Sequence, residues 1–178
     1  MIAREVEFAR DAPPQLYHAV AQADYVSIVA ITQEGAIPIV RQYRPALEAF
    51  SWELPAGLVE GGEDPVESCR RELLEETGFC ARAIHRLGNT SPCTGRFDNR
   101  IHSFCVEAGE RMAKFKPEPG IEVKAVSPAQ LARMIRAGEF ESQLHLGALL
   151  LAELHGFLRL PLGSRTSRPS RKPRKRRR

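Results

Sequence analysis

Three glutamates, Glu72, Glu75 and Glu76, crowd into five residues of this 178-residue chain. On a helix, steps of three and four bring such side chains onto one surface. Like charges that close repel one another, and the repulsion calls for a cation. A hard divalent ion, which prefers oxygen ligands, would supply it. Arg71 precedes Glu72 and stands four residues before Glu75, so it can pair with a carboxylate and orient it. Taken alone, the E-x-x-E-E run also reads as a solvated acidic helix face.

The flanking residues decide between the two readings. Gly57, Glu63, Arg71, Glu72, Leu73, Glu75, Glu76, Gly78 and Phe79 follow the pattern G-x5-E-x7-R-E-U-x-E-E-x-G-U, where U is apolar. This segment resembles the Nudix hydrolase box, a loop–helix–loop that binds divalent metal and hydrolyses nucleoside diphosphates linked to another group. The resemblance implies an α/β/α sandwich with a mixed sheet, and Mg2+ or Mn2+ as cofactor. It implies Glu72 and Glu76 as the main metal ligands, with Glu75 in or beside that set and the backbone carbonyl of Ala56 as a further ligand. Gly57 would let its turn approach the metal closely. Glu63 and Arg71 would tie loop to helix, and Gly78 would end the helix. The chemistry suits these residue types. A pyrophosphate repels an attacking hydroxide, and divalent ions neutralise its oxygens, position water and lower the water's pKa.

Upstream stands VRQYRPALEAFSWELPAG, residues 40–57. With R-Q-Y-R and W-E-L-P-A-G in this arrangement, it resembles the ADP-ribose and nucleotide-sugar pyrophosphatase branch. The likeness implies a nucleoside diphosphate sugar as substrate and a homodimer. GDP-mannose and diadenosine polyphosphates are the rival substrates. Arg44 is the candidate phosphate binder, because a guanidinium fork matches phosphate oxygens, or else a strand-end surface arginine. Arg41 is a second candidate. Glu53 reads as a substrate contact or a structural ion pair, and Trp52 as a base stacker or a core residue. In the later stretch SPCTGRFDNRIH, residues 91–102, Gly95 and Arg96 could approach phosphates or the terminal sugar. The branch places a general-base glutamate on a loop before its penultimate strand, and Glu118 in KPEPGIE matches it better than Glu122. Branch members take an aromatic base stacker from a longer N-terminal region. Here about 23 residues precede the first expected strand, and Phe8, Tyr17 and Tyr25 are the aromatics to hand.

These residues need a scaffold. The β-branched run 25–32 predicts a buried strand, followed by strands at 37–42, 50–54, 82–87, 100–107 and 121–126. Residues 64–77 predict a helix, with Asp64 as N-cap, Pro65 at the first position, Glu67 at capping-box spacing and Gly78 as terminator. Val66, Cys69, Leu73 and Thr77 form its apolar stripe. Ser127 to Gln130 opens a second helix with the same capping pattern, and residues 142–155 form a third.

Composition sets the outer limits. The chain is 43% hydrophobic and 27% charged, a globular balance, and one domain is expected over residues 1–162. No apolar run approaches the roughly 20 residues of a membrane span. The opening MIAREVEFARDAPP lacks an apolar signal core, which predicts a cytoplasmic protein. The net charge of +4 is unevenly placed: residues 163–178 carry nine Lys or Arg and no acid, leaving 17 basic against 22 acidic side chains elsewhere. That tail reads as disordered, either a solvated extension or a weak tether to a polyanion such as nucleic acid. Cys69, Cys80, Cys93 and Cys105 form no C-x-x-C pair and read as reduced cytosolic thiols with no zinc or redox site, while the five histidines lack ligand spacing and read as structural or surface residues.

Overall fold

A computed structural model describes residues 1–161, so the expected tail at 163–178 lies outside the described residues. Strand β3 (Tyr25–Ile31) is buried along its five central residues. This is the behaviour of an apolar run with helices on both faces. It pairs antiparallel with β6 (Ala56–Leu58) and parallel with β8 (Ile101–Arg111), which in turn pairs antiparallel with β7 (Phe79–Thr90). The resulting four-stranded mixed sheet, ordered β6-β3-β8-β7, is the centre of the molecule. A second, antiparallel sheet runs β5-β4-β9, from β4 (Ile37–Arg44), β5 (Ala49–Glu53) and β9 (Glu122–Val126).

Helix α1 (Pro65–Thr77) covers one face of the mixed sheet. Its Cys69 and Leu73 pack against Val26, Ile28, Phe104 and Val106. Helix α3 (Gln143–Leu154) covers the opposite face, where Ala148, Leu149 and Ala152 meet Val29 and Cys105. Helix α2 (Pro128–Ala137) packs beside β9. The architecture is therefore the α/β/α sandwich expected from the sequence, with the seven strands from residue 25 onward divided between two sheets rather than gathered in one.

The caps differ in one respect. Asp64 caps α1 by accepting from the Val66 amide at 2.7 Å, and Gly78 ends the helix at φ 76°. Glu67 does not close a capping box; its carboxylate pairs with Arg70 instead, at 3.6 Å. Helix α2 has the complete box, Ser127 with Gln130.

Two elements depart from expectation. The first 23 residues are not structureless: β1 (Ile2–Val6) and β2 (Gln15–Ala19) form an antiparallel hairpin. It is mostly exposed, so its sequence lacks the apolar alternation by which a half-buried strand is read. Strand β6 is only three residues long and follows Pro55, and its pairing with β3 defines it more than any propensity. Among the described residues no helix is long and apolar enough to cross a membrane.

Candidate active site

Arg71 organises the box. Its guanidinium donates to Glu63 at 3.0 and 3.3 Å, to Glu72 at 2.7 Å, to Glu75 at 3.3 Å and to the Leu58 carbonyl at 3.2 Å. Ser68 Oγ donates to the same Glu63 carboxylate at 2.6 Å. One arginine thus joins β6, the loop behind it and α1. The hydrogen bonds from Arg71 and Ser68 hold the Glu63 carboxyl at about 2.

Glu76 faces a different partner. Its Oε2 accepts from the Ala56 amide at 2.9 Å, which seats the start of β6 on the last turn of α1. Burial pushes its carboxyl up to about 8, a bias that the Ala56 hydrogen bond and Arg44 only partly offset. Burial also raises Glu72, against the pull of Arg71. Carboxylates raised by burial are poorly neutralised by the protein itself, and an oxygen-seeking divalent cation fits such a donor set. Among the described residues no three His, Cys, Asp or Glu side chains converge into a cage. Arg71 pairs with Glu72 and Glu75, and the Ala56 amide holds Glu76 beside Gly57, the residue against which the Glu72 carboxylate lies.

A cavity of about 640 Å³ lies on the α3 side of the mixed sheet, and none of Glu72, Glu75 and Glu76 is among its lining residues. Its walls come from Tyr25 on β3, Arg44 on β4, Ser51 and Glu53 on β5, the β7–β8 connection and the start of α3. Arg44 and Glu53 form a two-pronged ion pair, with Nε to Oε1 at 2.9 Å and a second bond from Nη2 to Oε2. Glu53 is 5% exposed, paired with Arg44 and part of the cavity wall, which is compatible with both a structural ion pair and a substrate contact. Behind it His145, 2% exposed, links Glu53 Oε2 at 3.4 Å to Ser27 Oγ at 3.1 Å. Burial alone would raise the Glu53 carboxyl, but hydrogen bonds from Arg44 and His145 outweigh it and hold it at about 2. The same pairing raises Arg44, and burial raises Tyr25 beside it.

A depressed carboxylate stabilises the fold above its unfolded value, here 4.5, and that contribution is lost as pH falls toward 2. Glu53→Gln should therefore lower stability at pH 7 by about 2 kcal/mol and narrow the gap to wild type below pH 4. Thermal melts across pH 2 to 7 measure it, and a constant gap throughout would place the stabilisation elsewhere.

The other candidates are dispersed. Arg41 lies on the opposite face of β4 from Arg44, paired with Glu122 at 3.4 Å and stacked on Phe50 at 4.7 Å, away from the cavity. Trp52 shares that face, between Arg41 and Lys124. Gly95 and Arg96 do not line the cavity. The Gly95 carbonyl accepts from the Tyr17 hydroxyl, and the Arg96 carbonyl from the Val20 amide at 2.8 Å, so both anchor the N-terminal hairpin. Their neighbours Pro92, Phe97 and Asn99 line the cavity instead. Glu118 is exposed on the β8–β9 connection, with no side-chain hydrogen bond or ion pair among the described residues. Phe115 of that connection packs on Gly78, where an added Cβ would stand 2.3 Å from its ring, two residues past Glu76. Sequence marks none of Ser27, Phe97 and Asn99, and it reads His145 only as a structural or surface histidine, which its burial between Ser27 and Glu53 agrees with. No local spacing marks them, because they meet only through tertiary pairing.

Comparison with known proteins agrees with this architecture. An ADP-ribose pyrophosphatase of Bacillus subtilis is 32% identical over 117 residues, covering 64% of this chain and 63% of that protein. An ADP-ribose pyrophosphatase of Mycobacterium tuberculosis is 32% identical over 130 residues, 70% of this chain and 62% of its own. The chain thus spans less than two thirds of either relative. A crystal structure of an ADP compounds hydrolase shares the fold at a TM-score of 0.68 and 18% identity, over 89% of this chain and 95% of that one. The model of the NUDIX domain matches residues 21–144, which hold β3 to β9, α1, α2 and the box carboxylates, and the chain belongs to the Nudix family.

Proposed function

We propose that this protein is a metal-dependent pyrophosphatase that splits ADP-ribose or a related nucleoside diphosphate sugar into a nucleoside monophosphate and a sugar phosphate. The observation that carries the reading is the junction at β6. There the box carboxylate Glu76 holds the Ala56 amide and interacts electrostatically with Arg44 and Glu53 of the cavity. A metal-loaded carboxylate set and a phosphate-binding arginine would then flank one substrate. The named relatives act on ADP-ribose, which favours that substrate over GDP-mannose or a diadenosine polyphosphate.

Glu72, Glu76 and the Ala56 carbonyl would hold Mg2+ or Mn2+, with Glu75 beside them. The bound ion would neutralise phosphate oxygens and lower the pKa of the attacking water. Arg44 orients the pyrophosphate through a guanidinium already fixed by Glu53. Gly57 keeps the turn narrow, Glu63 and Arg71 hold it on α1, and Gly78 closes the helix. The free thiols of Cys69, Cys80, Cys93 and Cys105 suit a reducing cytoplasm. The branch resemblance alone supports a homodimer.

Incubation with ADP-ribose, GDP-mannose and a diadenosine polyphosphate under Mg2+ should give AMP and ribose 5-phosphate fastest from ADP-ribose, with chelator abolishing turnover. Turnover indifferent to chelator, or no cleavage of any substrate, would overturn the reading. Glu118 is proposed as the base that takes the proton from water. Its loop is tethered by Phe115 next to Gly78, whereas Glu122 lies in β9 and is paired with Arg41. Glu118→Gln should cut kcat by about a hundredfold or more at nearly constant KM, and Glu122→Gln should be mild. Reversed effects would move the base to Glu122.

A further inference from the structure

We propose that His145 is a positioning residue for the pyrophosphate-binding arginine: it holds the Glu53 carboxylate, and that carboxylate aims the Arg44 guanidinium on the cavity wall. The inference rests on Arg44 being the phosphate binder of the proposed reaction. Arg44 and Glu53 share two bonds, Nε to Oε1 at 2.9 Å and Nη2 to Oε2. These spend Nε–H and one Nη2–H, which leaves the Nη1 pair and the second Nη2–H for a ligand. The plane of the Glu53 carboxylate therefore sets where those donors point. Two side chains bound only to each other can turn together, so the pair needs a bond from outside it. Among the described residues that bond comes from His145 Nε2, 3.4 Å from Glu53 Oε2.

The imidazole is itself anchored. Its Nδ1 lies 3.1 Å from Ser27 Oγ, and Ser27 is fully buried. A carboxylate only accepts, so Nε2 donates to Glu53, and in the neutral ring Nδ1 accepts from the Ser27 hydroxyl. Ser27 lies on β3 opposite Ala56 of β6, the residue whose amide Glu76 holds. The relay Ser27–His145–Glu53–Arg44 thus refers the arginine to the strand pair that carries the box turn. Packing alone does not call for an imidazole here. The buried α3 positions that follow, Ala148, Leu149 and Ala152, are apolar, and a leucine at 145 would bury no ring nitrogens. A buried polar chain satisfied at both ends fixes orientation, and Arg44 is the end that meets the cavity.

For the test, α,β-methylene-ADP, whose bridge cannot be hydrolysed, is titrated into the full chain under Mg2+ by calorimetry, with ADP-ribose kinetics in parallel. His145→Leu should raise Kd for the analogue and KM for ADP-ribose about tenfold. Its kcat should stay nearly unchanged, because the arginine binds phosphate before and during the reaction. His145→Gln, which keeps an N–H donor of similar reach, should recover most of the loss. In an Arg44→Gln background His145→Leu should add less than about twofold, since residues acting through one contact are not additive. A residue that only props up the fold would weaken the analogue equally in both backgrounds, and that result overturns the proposal. So does an unchanged Kd in His145→Leu, a Gln variant as weak as the Leu variant, or no binding by wild type. Should His145→Leu fail to fold, Ser27→Ala repeats the cycle, as it nearly keeps the volume and removes only the donor to Nδ1. Its loss, about threefold, should again vanish without Arg44, and persistence would overturn the proposal. Cleavage of ADP-ribose with equal KM in wild type and His145→Leu would sink the positioning role and leave the proposed reaction standing. Arginine-dependent loss of analogue binding without any cleavage would do the reverse.

Discussion

Glu76→Gln should lower kcat roughly a thousandfold or more and leave the protein folded. The amide matches the carboxylate in size, and its oxygen can still accept from the Ala56 amide, so β6 stays seated on α1. The negative charge is what goes. A cation held by fewer charges neutralises the phosphate oxygens less well, and the loss falls on the transition state. The cation-free variant should also be no less stable than wild type, since burial opposes the charged form of Glu76. Steady-state kinetics at saturating Mg2+ with a parallel melt decide the matter. A folded variant turning over near the wild-type rate would remove Glu76 from the site.

Gly57→Ala should be nearly as damaging, for a reason of space alone. A Cβ at this position would stand 2.0 Å from Cδ and Oε1 of Glu72, inside any tolerable contact. Glu72 cannot swing away freely, because Arg71 holds the same Oε1 at 2.7 Å. Either the carboxylate leaves Arg71 or β6 parts from β3, and both displace a proposed ligand. Turnover should fall about a hundredfold, with weaker activation by Mg2+. Gly61→Ala in the same loop is the control, as nothing lies within 4 Å of its added Cβ and its rate should be unchanged. Wild-type Mg2+ activation in Gly57→Ala would show that Glu72 can turn aside without consequence.

The box segment was legible because it is local. Asp64, Pro65 and Gly78 mark the ends of α1, and the Glu63–Arg71 tie follows from a loop that must fold back eight residues onto its own helix. The run at 25–31 announced β3 through β-branched residues alone. Glu67 sat at capping-box spacing yet turned to Arg70, since an exposed carboxylate takes whichever cation is near. The N-terminal hairpin escaped because it buries little. The cavity was legible only at Arg44, Glu53 and Tyr25. Asn99 reaches Ala23 because β3 and β8 run parallel with Tyr25 opposite Ile101, a register that nothing near residue 99 encodes. His145 looked like one more scattered histidine, and it gains its place from a helix packing on a sheet.

The parallel pairing of β3 with β8 also sets the order in which the molecule can assemble. Tyr25 meets Ile101 only after the whole box and β7 have been made, and His145 reaches Ser27 later still. Closing loops of that length costs chain entropy before the contacts return it, so such pairings form slowly. On a ribosome, α1 and its Arg71 ties can form early from contiguous sequence. The cavity beside them stays open until the residues of α3 have emerged. The carboxylate set is therefore a local product of the chain and the cavity a late one, and a nascent molecule holds the first well before it owns the second.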